Sequence, residues 1–282
     1  MNWIVAVLCL LMIHGCAWFK PAAPPPDPPL TLVVGPVSLD APVTSPSDLY
    51  TFEQDPTPEV APQIMTQLID EVELAGQRFL TEELARQPGF RVVPFAEARR
   101  LQTNQNPTRH PRGRDDLTAL ERDADADIVI TGRIVDYGIV RWQYWIPGLL
   151  LSMMAETLIV GAATEFNPVA MIAVAASELV TDVPFWWGGA YLLGWALRPV
   201  SVQVEAVQVR GCPGTVWEEE VVVMLVRDET LQQFPADQHR RKDIQLAANL
   251  SRAMAEIADH AGRELRLTPC PKPDARAKHE RS

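Results

Sequence analysis

Apolar and polar positions follow three different rhythms along this chain, and the changes between them divide it. Leu30 to Leu39 (Leu-Thr-Leu-Val-Val-Gly-Pro-Val-Ser-Leu) is short, β-branched and nearly continuous, the pattern of a buried strand. Asp40 to Pro62 is rich in Pro, Ser, Asp and Thr and predicts a loop. From Ala61, residues Ile64, Leu68, Val72, Ala75, Phe79 and Leu80 fall on one helical stripe that Pro88-Gly89 closes. Phe90 to Phe95 predicts a short strand, Ala96 to Gln102 one or two helical turns, and Ala126 to Gly138 a third strand. Val200 to Val209 alternates at period two, as a half-buried antiparallel strand does. Gly211 to Gly214 then turns the chain into a returning strand, Thr215 to Val226. Ile244, Leu250, Met254, Ile257 and Ala261 mark one face of a closing helix from Arg240 to Leu265. This order predicts an α+β fold, a mixed and partly antiparallel sheet backed by helices.

Between the third and fourth strands both rhythms stop. Trp142 to Leu197 runs 56 residues without a Lys or Arg and holds five of the eight tryptophans. Three helical pieces are predicted there: Ile146 to Thr164, Pro168 to Thr181 and Phe185 to Leu197, with breaks at Asn167-Pro168 and Asp182-Val183-Pro184. Only the first approaches the roughly 20 residues that cross a bilayer, and Glu156 at its centre costs on the order of 3 kcal/mol there. Three readings stay open. The insert lies in a membrane interface with Trp145, Trp186, Trp187 and Trp195 at headgroup level; it is a surface for partners or further copies; or it extends the core. Trp145, Leu149, Leu150, Trp186, Trp187 and Trp195 are the expected membrane or partner contacts. Glu178 and Asp182, one turn apart, are expected on a solvated face, with a polar seam as the alternative.

The first fifteen residues carry an apolar run, Trp3 to Ile13, and end in His14-Gly15 before Cys16. This resembles the signal peptide of a bacterial lipoprotein, which implies lipidation of Cys16; the alternative is a buried first element. Lys20 to Pro29 (Lys-Pro-Ala-Ala-Pro-Pro-Pro-Asp-Pro-Pro) suits an extended tether. Ala17 stands where lipoproteins kept in the inner membrane commonly carry Asp, so the outer membrane, periplasmic face, is the expected location. An apolar segment strong enough to lodge in the inner membrane would halt such a protein, and Glu156, Glu165, Glu178 and Asp182 interrupt these runs. In an oxidising compartment Cys212 and Cys270, 58 residues apart, are expected to form a disulfide worth about 4 kcal/mol; two free thiols are the alternative.

The net charge of −11 argues against nucleic acid as a partner. Asp123, Asp125 and Asp127 alternate like the start of a calcium loop, but Ile128 and Ile134 occupy the positions that need Gly and Glu. The five histidines have no metal-ligand spacing, and there is no nucleophile elbow, phosphate loop, dinucleotide fingerprint or zinc motif. Glu218-Glu219-Glu220 lies on a predicted strand whose successive side chains point to opposite faces. No catalytic residue, metal ligand or cofactor is expected, and the chain is read as not an enzyme.

Ala126-Asp127-Ile128-Val129-Ile130-Thr131-Gly132-Arg133, after the earlier segment Phe90-Arg91-Val92-Val93-Pro94, resembles envelope lipoproteins with the fold of the TolB N-terminal domain, including the curli secretion lipoprotein CsgG. The turn Cys212-Pro213-Gly214-Thr215 and the step Val216-Trp217-Glu218 match the hairpin of that group. The resemblance covers roughly residues 30 to 265 without the insert. It implies a structural, assembly or secretion-related part in an envelope complex, with envelope proteins or further copies of the chain as partners. The alternative is a periplasmic regulator of a cell-wall synthase, or a peptidoglycan binder, with the insert as internal core. In the curli protein the matching segment joins a β-barrel, but Leu149-Leu150-Leu151 and Ala173-Val174-Ala175-Ala176 do not alternate as barrel strands do. The expected organisation is signal peptide 1–15, lipidated tether 16–29, α/β domain 30–141 and 198–267, apolar insertion 142–197 and tail 268–282.

Overall fold

The computed structural model describes residues 28–105, 123–140, 142–188, 195–210 and 213–267. Its strands are β1 (Leu30–Leu39), β2 (Phe90–Val92), β3 (Ile128–Tyr137), β4 (Trp195–Gln208) and β5 (Gly214–Arg227). Its α-helices are α1 (Pro46–Leu49), α2 (Ala61–Leu84), α3 (Phe95–Gln105), α4 (Trp142–Ala163), α5 (Pro168–Gly188), α6 (Asp228–Leu231) and α7 (Lys242–Glu264). The fold is α+β, and the five strands form one sheet in the order β2-β1-β3-β4-β5. β1 runs parallel to β2 and β3, while β3, β4 and β5 form an antiparallel meander.

Helices α2 and α7 cover one face of this sheet. Leu80 and Leu84 of α2, with Leu246, Leu250, Met254 and Ile257 of α7, meet Ile128, Ile130, Ile134, Val202 and Val221 from the strands, all buried. Burying a side chain of this size contributes roughly 1.5–3 kcal/mol, so this layer dominates the stability. On the other face α3 covers only the β2-β1-β3 end, through Ala98 against Val33 and Val129. The α3 helix is 11 residues long, more than the two turns expected from sequence.

Pro36 lies inside β1, a central strand, where a missing N–H would normally break the ladder. The register shifts between Val34 and Val37, so the proline sits in a bulge. The Val34 carbonyl accepts from Gln77 Nε2 at 2.9 Å and from Gln102 Nε2 at 3.4 Å, two buried amides on α2 and α3. The bulge is held by polar side chains that an apolar stripe does not reveal.

Asp127 is a second such anchor. Its Oδ2 accepts from the Thr31 N–H at 2.8 Å, fixing the start of β1 against β3. Arg210 at the end of β4 pairs with Asp125 and, at 3.6 Å, with Asp127. The aspartates that begin like a calcium loop therefore lock three strands at one end of the sheet. The loop predicted over 40–62 contains α1, whose entry Asp48 organises by accepting from the N–H groups of Thr44 and Ser45, each at 2.9 Å.

The insert differs most from its sequence reading. Its described residues form two helices: α4 has 22 residues and α5 has 21, and α5 continues through Asp182 and Pro184, where a break is expected, to Gly188. An internal proline costs about 3 kcal/mol, while a second helix end would leave several carbonyls without partners in apolar surroundings. Trp195 to Leu197, expected as the end of a third helix, begin β4 instead.

Candidate functional site

α4 and α5 pack on each other as an antiparallel hairpin between β3 and β4, two strands that are antiparallel neighbours. A two-residue turn would join such strands. The hairpin therefore projects from one end of the sheet, and no described residue of it belongs to the three apolar clusters of the body.

Its tip is a built turn. Thr164 Oγ1 donates to the Val160 carbonyl at 2.7 Å, and Asn167 Oδ1 accepts from the Val169 N–H at 3.0 Å, capping α5. Glu165 and Phe166 hold φ of 53° and 60°, the left-handed region that disfavours side chains. Phe166 offsets that strain by folding back: its N–H donates to the Gly161 carbonyl at 2.6 Å.

The sides are apolar and open. Leu150, Leu151, Met154, Leu158 and Ile159 of α4, with Val169, Ile172, Leu179 and Val180 of α5, are 48% to 76% exposed. At about 100° per residue, Leu150 to Ile159 spreads over half the circumference of α4. A helix that is apolar outside a narrow stripe belongs in a protein core or in lipid. The stretch Ile146–Ala163 is long and apolar enough to cross a membrane, and only 11% of it is buried. On α5 the apolar stretch Pro168–Val180 is shorter, so of the insert's described helices α4 alone is long and apolar enough to span, as its sequence leads one to expect.

Of the predicted contact residues, Leu150 is 54% exposed and Leu149 is buried at 6%. Backbone positions place Trp145 in the first turn of α4, Trp186 and Trp187 in the last turn of α5, and Trp195 at the start of β4. All four thus stand at the root of the hairpin. Glu178, expected on a solvated face, is buried at 3% in the middle of α5. Glu156, at mid-length of α4, is exposed. Cys16, Cys212 and Cys270 lie outside the described residues, as does the tail from 268.

The root is tied to the body by α7. Arg198 Nε donates to Gln245 Oε1 at 3.1 Å, and Asn249 Nδ2 donates to the Arg198 carbonyl at 2.7 Å. Gly138 N–H donates to the Pro199 carbonyl at 2.7 Å, closing the base. Burial pulls the Arg198 guanidinium below its ordinary pKa. Burial, then the nearby Arg198 charge, does the same to Lys242, against the opposing pull of Asp48. Burial, then Asp243, pushes the Tyr137 hydroxyl above its ordinary value. This is an anchoring cluster: its polar groups face backbone and one another.

A second open surface lies on the sheet face that α3 leaves bare, a shallow cleft of about 430 Å³ lined by Thr131, Arg133, Gln203, Glu205, Glu218 and Glu220 among others. Arg133 Nη2 donates to Gln203 Oε1 at 2.8 Å, and Gln203 Nε2 donates to Glu220 Oε2 at 3.1 Å, so these groups satisfy one another. Glu219 points to the opposite face, 3.1 Å from His260 Nδ1. Among the described residues no cluster of His, Cys, Asp or Glu has a metal-binding arrangement.

No protein-family model matches the chain, and no curated protein matches it. Among solved structures it is similar to the LpoB C-terminal domain from Salmonella enterica, at 10% identity and a TM-score of 0.30, over 76% of this chain and 93% of that one. It is also similar to lipoprotein GNA1162 from Neisseria meningitidis, at 11% identity and a TM-score of 0.35, over 82% and 99%. With scores below 0.5, neither likeness carries an argument about what this chain does.

Proposed function

We propose that this chain is a lipid-anchored component of the bacterial outer membrane whose α+β body faces the periplasm and serves a structural, assembly or secretion-related role in an envelope complex. One observation carries the reading: an apolar hairpin stands clear of the core where a tight turn would suffice. Exposed apolar surface on this scale marks a membrane or partner contact. The resemblance of 126–133 and 212–218 to TolB-N/CsgG-like lipoproteins supports the compartment, and the apolar run ahead of Cys16 supports the anchor. Cys212 and Cys270 are assigned as the disulfide that ties the β4–β5 turn to the segment after α7. The body's role is binding, not catalysis.

The test is metabolic labelling with radioactive palmitate in a diderm host, followed by density fractionation of the envelope. The reading expects label in the wild type and none in Cys16→Ala, wild-type protein at outer-membrane density, and a native apparent mass above that of one chain. Unlabelled wild-type protein in the soluble periplasmic fraction overturns it.

A further inference from the structure

We infer that the hairpin crosses a lipid bilayer, with α4 and α5 running through it side by side and the tip emerging on the far surface. This rests on the reading above: Glu156 on α4 and Asp182 on α5 keep each helix singly below what would halt it at the inner membrane, so the two enter the outer membrane as a packed pair.

Length comes first. At about 1.5 Å per residue, α4 and α5 are roughly 33 and 32 Å long, against a hydrocarbon thickness of about 30 Å; Ile146–Ala163 of α4 is apolar over a full span, and α5, whose apolar stretch is Pro168–Val180, crosses packed against it. The shape of the apolar surface comes second. A helix lying in the headgroup plane needs one apolar and one strongly polar face. On α4 the exposed large side chains cover half the circumference, and α5 occupies part of the remainder. No Lys or Arg stands anywhere in 142–197 to meet headgroups from an in-plane helix.

The ends are the third observation. Trp145, Trp186 and Trp187 all stand at the root, where an aromatic belt meets the near headgroups. The tip is Thr164-Glu165-Phe166-Asn167, three of whose four side chains are polar and suited to the far headgroups. A hairpin turning inside the acyl layer would bury that polar turn. Glu178 is hidden within the protein and Glu156 faces outward, while Asp182 lies six residues before the root end of α5.

The anchor is compatible with the same bilayer. β1 is parallel to β3, so Leu30 starts at the end of the sheet opposite the hairpin root, nine residues or about 30 Å away. Residues 16–29 reach at most about 48 Å when extended at ~3.4 Å each, enough to return along the body.

Sided labelling tests this. In a Cys212→Ser, Cys270→Ser background purified from membranes, single cysteines are placed at Thr164 (tip), Ile159 (α4) and Glu229 (body). The proteins are reconstituted in phosphatidylethanolamine–phosphatidylglycerol vesicles with the body outside, and the parent background serves as blank. A membrane-impermeant maleimide added outside is expected to label Glu229→Cys fully. Ile159→Cys should react at least tenfold more slowly, and Thr164→Cys should react only when the reagent is inside. Labelling of Thr164→Cys from outside while Ile159→Cys stays protected overturns the crossing but leaves membrane contact standing. Outside labelling of both at the Glu229→Cys rate overturns crossing and contact together. Protection of Ile159→Cys in lipid-free, detergent-free buffer overturns lipid as the occupant in favour of a second copy.

Discussion

Phe166 closes the hairpin by packing over Gly161: its Cδ1 lies 3.2 Å from where a Cβ on that glycine would stand, and Met171 Sδ lies at 3.3 Å. A large side chain at 161 must push both away and pull the Phe166 N–H out of line with the carbonyl of residue 161. Gly161→Leu is expected to weaken the tip by about 1–3 kcal/mol. Hydrogen exchange at the Phe166 amide should then quicken roughly tenfold to a hundredfold, with amides of α7 unchanged. Unchanged exchange at the tip would show that the contact does not hold the turn.

The body should fold without the hairpin. Replacing 142–194 by a short Gly-containing turn removes none of the buried residues in the three apolar clusters. The shortened chain is expected to unfold cooperatively in urea, within about 1 kcal/mol of the intact protein measured in detergent. Loss of the cooperative transition would mean that the hairpin is part of the core after all.

Gly138 is irreplaceable for two reasons at once. Its φ is +78°, and an added Cβ would come within 2.8 Å of Leu246 on α7. Gly138→Ala should cost about 2–4 kcal/mol, from backbone strain and overpacking. Gly214→Ala, where a Cβ meets nothing within 4 Å, is the matched control and should shift the urea midpoint little.

Asp48 gives the α1 entry an acid limit. Burial alone would raise its pKa, but the N–H groups of Thr44 and Ser45, the Thr44 hydroxyl and Lys242 outweigh that and hold it below the ordinary 3.8. A depressed folded-state value means that the contribution is present above pH 3.8 and is lost as pH falls through the folded value. Asp48→Asn should cost about 1 kcal/mol at pH 7 through the lost hydrogen bonds. The gap between wild type and variant should narrow at pH 3, as read from urea midpoints.

Periodicity made the body legible. The stripe on α2 and the alternation in β4 follow from side-chain directions that depend only on element type. What it missed is polar and long-range. Gln77 and Gln102 sit on helices yet satisfy a bulge in β1, and Asp127 belongs to β1 as much as to β3. Glu178 looked solvated because one turn of spacing says nothing of which face is covered. The insert was misdivided because Asn167-Pro168 and Asp182-Val183-Pro184 carry the same local signal. One is a turn with left-handed residues and a cap; the other is helix throughout. No local rule separates them, because both pair a polar residue with a proline that a helix can end at or continue through.

Vesicle flotation of purified Cys16→Ala protein shows whether the hairpin itself holds the protein in lipid. In 1 M salt, where charge attraction is screened to about 3 Å, the unlipidated chain is expected to rise with the vesicles, because 142–197 offers no Lys or Arg for salt to screen. The same chain lacking 142–194 should stay at the bottom of the gradient. Unlipidated full-length protein that remains at the bottom would mean that the hairpin does not hold the chain in lipid.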